Sequence, residues 1–227
     1  MLTIRGLISF LAVAVTSSVF GYGQITLDEI LENMDRVGAD LKSMRAGLQQ
    51  KKWTDILEEY DEGESGRFLF LKDKQGIYLR KDIDDPTTNF LVIKEGTVLF
   101  YQPSIKQAQE YKMGRHKDKA EFLLLGFGSD QATLAETYDI SFKGEEEIGG
   151  QKTYQLELKP KSEQVAAFFS RIELWIDGEK WVPIQQKLVE PTQDHLLIRF
   201  EDLELNPKLS KGDFNVKLPK DVRVIRN

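Results

Sequence analysis

The residues with the most chemical potential in this chain are few and poorly placed for catalysis. There are two histidines and no cysteine. Asp194-His195 sits where a hairpin turn is expected. Neighbouring side chains on a strand point to opposite faces, so the two make no ready acid–base dyad. No Gly-x-Ser-x-Gly nucleophile elbow occurs. The carboxylates fall in turns without calcium-loop spacing, and Gly126-x-Gly128 opens no nucleotide fingerprint. The lack of cysteine excludes disulfides, thiolate metal sites and a lipid-modified cysteine. The expectation is no enzyme, no metal and no cofactor. The formal charge of −6 disfavours a nucleic-acid partner, whose tracking surface is usually basic. Lys112, Arg115, His116, Lys117 and Lys119 form a basic cluster suited to anionic headgroups or an acidic partner, or simply to a solvated loop.

The chemistry that remains is apolar binding. The stretch Asn89–Pro103 reads as two short strands joined by a tight turn at Glu95-Gly96. Alternation gives each strand two apolar faces, where a sheet with one face in water has a polar one. One set is Phe90, Val92, Val98 and Phe100; the other is Leu91, Ile93, Leu99 and Tyr101. The first set is the candidate lining of an apolar cavity, although alternation alone leaves open which face is concave. A helix, a second sheet or an apolar ligand must cover the remaining face.

The elements that would position such a site follow from periodicity. Residues 1–23 carry Arg5, the apolar run Leu7–Val15 and a small-x-small end at Gly21-Tyr22-Gly23. This reads as a signal peptide cleaved near Gly23, the alternative being a membrane anchor. Residues 24–227 then form a single domain. Thr26 and Glu29 make a capping box, and Leu27, Ile30, Leu31, Met34, Val37 and Leu41 recur at helical spacing behind it. Ala120–Gly128 reads as a short apolar helix and Gln131–Glu136 as a helical turn. Most other segments read as strands with short links: Met44–Trp53, Gly66–Lys72, Ile77–Arg80, Gln107–Tyr111, Tyr138–Lys143, Gln151–Lys159, Ser170–Asp177, Val182–Val189, Leu196–Leu205 and Phe214–Leu218. Short links imply an antiparallel meander, and about ten strands in one sheet curl rather than stay flat. The fold class is α+β, mostly β.

An ordered set of residues carries a family resemblance. It runs from the capped helix through Gly66–Lys72, Glu95-Gly96, Tyr101-Gln102-Pro103 and Gln107 to Ile172–Asp177, Trp181-Val182-Pro183, Arg199-Phe200, Asn206, Phe214 and Leu218-Pro219. In this order the chain resembles the LolA-like outer-membrane lipoprotein carriers and their lipoprotein-sorting relatives. The resemblance implies an unclosed β-barrel with a helical lid over an apolar cavity that takes acyl chains. It also implies a monomeric periplasmic carrier moving lipoproteins from an inner-membrane transporter to an outer-membrane acceptor. The family's lid-closing arginine falls at Lys72, followed by Asp73 where the family has proline. Lysine lacks the planar bidentate contacts of arginine, so Lys72 is the lid-switch candidate. If Lys72 faces the cavity, then Phe68, Phe70, Ile77 and Leu79 line it. Leu31, Met34, Val37, Phe122, Leu125 and Phe127 are lid candidates. For every one of these, ordinary core packing is the plain alternative. Two other functions fit the same pattern: carriage of a glycolipid or phospholipid, and a sensor or interaction role with a filled interior.

Overall fold

The computed structural model describes residues 25–112, 125–127 and 131–226. The expected signal peptide, most of the basic cluster, Phe122 and Gly128 lie outside the described residues. Helix α1 (Leu27–Asp40) opens with the capping box expected of Thr26 and Glu29. Its buried residues, Ile30, Leu31, Met34 and Gly38, form one stripe. Two short helices follow later, α2 (Gln131–Thr137) and α3 (Glu163–Ala166).

Everything else is organised around one sheet. Its strands are β1 (Ser43–Thr54), β2 (Glu59–Tyr60), β3 (Glu64–Asp73), β4 (Gly76–Asp85), β5 (Asn89–Lys94), β6 (Thr97–Gln102) and β7 (Gln107–Lys112). The later ones are β8 (Tyr138–Ile148), β9 (Gln151–Pro160), β10 (Arg171–Asp177), β11 (Pro183–Val189), β12 (His195–Leu205) and β13 (Arg223–Arg226). The order across the sheet is β13-β7-β6-β5-β4-β3-β1-β12-β11-β10-β9-β8, with β2 a short appendage of β1. All pairs are antiparallel except β13 on β7. The outer strands β13 and β8 do not meet, so the sheet stays open. Register shifts at Arg45/Gly47, Ser65/Gly66, Phe142/Gly144 and Trp175/Ile176 add local twist and bend.

Two expectations need correction. Phe214–Leu218 is not a strand: Phe214 ends a short 3-10 helix, Lys211–Phe214. Ser210 and Asp213 form a capping box there, a local signature that outweighs the alternation after it. The second correction concerns hairpin register. Glu95 (φ 52°) and Gly96 (φ 74°) both adopt positive φ, as a type I′ turn requires. That two-residue turn pairs Lys94 with Thr97, and so Ile93 with Val98, Leu91 with Phe100 and Phe90 with Tyr101. Directly opposed residues share a face. Phe90 and Val92 therefore lie with Leu99 and Tyr101, while Val98 and Phe100 lie with Leu91 and Ile93.

Candidate functional site

The two faces of the sheet have separate cores. Ile93 and Val98 join the main core with Phe68, Phe70, Leu79 and Ile83, and with Ile30, Leu31 and Met34 of α1. Val92 belongs instead to a second cluster with Tyr78 and Phe214, flanked by Leu69, Leu71, Leu99, Leu209 and Val216. The face carrying α1 is the inner one. The other is covered over β3–β6 by the chain's own C-terminal segment.

On the inner face, Phe68 and Phe70 are 1% exposed, Leu79 0% and Val98 5%. Ile77 follows the same alternation but emerges at the rim, 43% exposed. Phe100 is half-buried on this face. Phe90 and Val92, expected beside them, face outward by the register above. Phe90 stacks on Tyr101 with ring centroids 5.7 Å apart, and the Arg80 guanidinium lies over the Phe90 ring at 5.9 Å. Lys72 is exposed, and its side chain makes no hydrogen bond or ion pair among the described residues. In this state it holds neither α1 nor residues 125–127.

The inner cover is held mainly by apolar contact. Leu31 and Met34 are each 4% exposed, and Val37 packs half-buried against the same core. Asn206 fastens the end of α1: its Oδ1 accepts from the amides of Lys42 and Ser43, and its Nδ2 donates to the Asp40 carbonyl. Residues 125–127 press on β10–β12. Phe127 meets Phe200 edge-on at 5.2 Å. Gly126 has φ +82°, and a Cβ there would stand 2.6 Å from Pro183 Cγ, so only glycine fits. The Gln186 amide donates to the Leu125 carbonyl at 2.9 Å from a fully buried site, while its Oε1 has no partner. Gln186 was not among the residues singled out from the sequence. The signal was available: it stands between Ile184 and Leu188 at a core position of β11.

A second overlooked residue is Lys81. Leu79 and Ile83 flank it along β4, and Phe68 and Leu91 oppose it on the adjoining strands. Its ammonium donates to Gln50 Oε1 at 3.1 Å, and Gln50 in turn donates to the Glu64 carboxylate. Burial pulls the Lys81 pKa below the ordinary lysine value, with the Glu64 charge opposing.

The outer cover is built differently. Tyr78 and Phe214 rings lie 5.8 Å apart. Arg80 donates to the carbonyls of Asp213 (2.8 Å) and Asn215 (3.2 Å) while pairing with Asp82 at 2.8 Å. Lys94 donates to Asn215 Oδ1 at 2.8 Å, Lys211 pairs with Asp73 at 2.8 Å, and Lys106 with Asp221 at 2.7 Å. Elsewhere on the outer face, Asp194 caps the Asp55 amide. His195, buried beside Trp53, meets Tyr60 Oη at 2.9 Å. Burial, helped by Lys187, holds its pKa below the usual histidine value. Asp194 and His195 thus serve separate structural contacts.

A family of uncharacterized proteins matches the chain over residues 72–206. An uncharacterized protein of Methanocaldococcus jannaschii is 22% identical over 202 residues; the chain spans about half of that relative, 54% of its length. Among solved structures, an uncharacterized conserved protein from Thermus thermophilus aligns with a TM-score of 0.56 at 18% identity, covering 88% of this chain and 98% of that one. The lipoprotein LppX of Mycobacterium tuberculosis aligns with a TM-score of 0.52 at 10% identity, covering 82% and 99%. These likenesses are of fold. The shared architecture is one large open sheet, mostly β, with few helices.

Proposed function

The chain belongs to a family of uncharacterized proteins, and we propose that it works as an exported carrier of acyl chains. The observation that supports this is the breadth of an apolar inner face that is buried, among the described residues, mainly by apolar contact. A helix is about 10–12 Å wide and strands are about 4.8 Å apart, so α1 spans roughly two of the strands in the sheet. The inner face is apolar across far more of them, from Val98 on β6 to Leu158 on β9. Half-buried Leu91, Tyr111, Ile140, Phe142 and Phe169 pack at its margins. An acyl chain fits this surface by displacing a cover that, among the described residues, polar contacts hold at few points. Each methylene taken from water contributes about 0.8 kcal/mol. A carrier that must release its cargo therefore buries part of a chain and lets the lid compete for the site.

The specific form of the proposal is a periplasmic carrier. It takes a lipoprotein from an inner-membrane transporter, shields the lipid and passes it to an outer-membrane acceptor after cleavage of residues 1–23. No catalytic step is assigned to it. The test is mass spectrometry of lipids and peptides extracted from the natively exported protein. Acylated peptide in the extract is the expected result. Non-protein lipid alone would turn the proposal to glycolipid or phospholipid carriage. One observation favours a second reading, an interaction protein with a filled interior: Phe68, Phe70 and Leu79 are already closed off at 0–1% exposure. Absence of saturable binding of a fluorescent acyl probe would select that reading.

A further inference from the structure

The cations on β3 and β4 are treated differently on the two faces. On the outer face, Arg80 pairs with Asp82 at 2.8 Å, and Arg67 reaches Asp82 at 3.4 Å and Asp84 at 3.7 Å. On the inner face, Lys81 has no carboxylate within ion-pair distance among the described residues. Its one hydrogen bond goes to a neutral amide, Gln50 Oε1 at 3.1 Å. An ammonium has three donors, so two are left for another partner. Its surroundings are apolar: Leu79 and Ile83 are fully buried, Phe68 is 1% exposed and Leu91 is half-buried. Lys81 is itself half-buried, and a lysine among such neighbours seldom has a neutral amide as its side-chain partner. A nearby hydrocarbon surface continues across the sheet, since Leu91 pairs with Phe100.

We propose that Lys81 is the polar anchor of the interior, seating the monoanionic head of an acyl amphiphile whose chain lies along Leu91 and Phe100. This rests on the carrier reading and narrows its ligand class. A monoanion fits better than a dianion, because the ammonium offers one positive charge and Glu64 stands just beyond Gln50. Burial already disfavours the charged lysine, so an arriving anion restores what desolvation removed. The head is the carboxylate of a fatty acid or the phosphodiester of a lipid; both are monoanions with oxygen acceptors.

The experiment is displacement of the neutral probe N-phenyl-1-naphthylamine from the full exported protein. The competitors are palmitate, palmitoyl lysophosphatidylglycerol and the uncharged hexadecanol. At least one anion should displace the probe at about tenfold lower concentration than the alcohol, as a charge-assisted hydrogen bond predicts. The better of the two anions identifies the head. Lys81→Met, an apolar replacement of similar length, should abolish the preference while keeping probe binding; Lys81→Arg should keep it. Equal displacement by alcohol and both anions in the wild-type protein overturns the anchor, as does a preference surviving in a folded Lys81→Met. Those outcomes leave the carrier reading intact. A probe that never binds removes both.

Discussion

The inner and outer covers of the same sheet differ in how they are fastened. The outer cover, residues 207–226, is tied down by Arg80, Lys94, Lys106 and Lys211, each holding a carboxylate, carbonyl or amide oxygen of that segment or beside it. It ends by adding β13 to the sheet edge. The inner cover rests on Leu31, Met34, Leu125 and Phe127, with Asn206 at one end and Gln186 beneath. Directional bonds specify one geometry, whereas apolar contact is non-directional and tolerates exchange of one hydrocarbon for another. The lesson is that one side of the sheet is fixed by directional bonds and the other is held mainly by apolar contact.

The largest effect that would test this contrast is Phe214→Ala. It empties the centre of the outer core and should cost about 3–5 kcal/mol in urea unfolding. Acyl-probe affinity measured on the folded fraction should stay within twofold. If affinity falls in step with stability, the two sides are not independent. Next comes Arg80→Met, which frees two carbonyls and weakens the pairing of buried Asp82; a loss of about 1.5–3 kcal/mol is expected. Hydrogen exchange should quicken across residues 207–226 and not in α1.

Gln186→Leu acts on the other side. It removes the bond to Leu125 but also the unpartnered Oε1, so stability should change by less than about 1 kcal/mol. Probe association should become faster, as measured by stopped flow. An unchanged association rate would show that Gln186 is not part of the closure. The smallest expected effect belongs to His195 on the outer face. Its folded pKa lies below the ordinary 6.5, so the unfolded chain binds the proton more readily. Stability is full above that value and declines as pH falls below it. A slight drop in melting temperature between about pH 7.5 and 5.5 should flatten in His195→Gln.

Much of this fold was legible in the residues. The capped helix, the hairpin at Glu95-Gly96 and the clean alternation of Ile172, Leu174 and Ile176 all appear where local pattern puts them. The site was read less well. Turn length, not composition, sets cross-strand partners, which is why Phe90 and Val92 were grouped with Val98 and Phe100 and not with Leu99 and Tyr101. Lys81 and Gln186 break apolar alternation at core positions and so were visible as anomalies. Their roles were not visible, because Gln50 and the Leu125 carbonyl come from distant parts of the chain.

The sequence alone determined that this chain makes one long, curled, mostly antiparallel sheet and that its central hairpin has no wet face. Alternation and short links are local properties and survive without tertiary context. Only the tertiary structure decided what meets each face: α1 and residues 125–127 inside, the chain's own C-terminal segment outside. That choice depends on which distant segments arrive and what they bond to. A pattern of apolar residues states a need for cover without naming what supplies it.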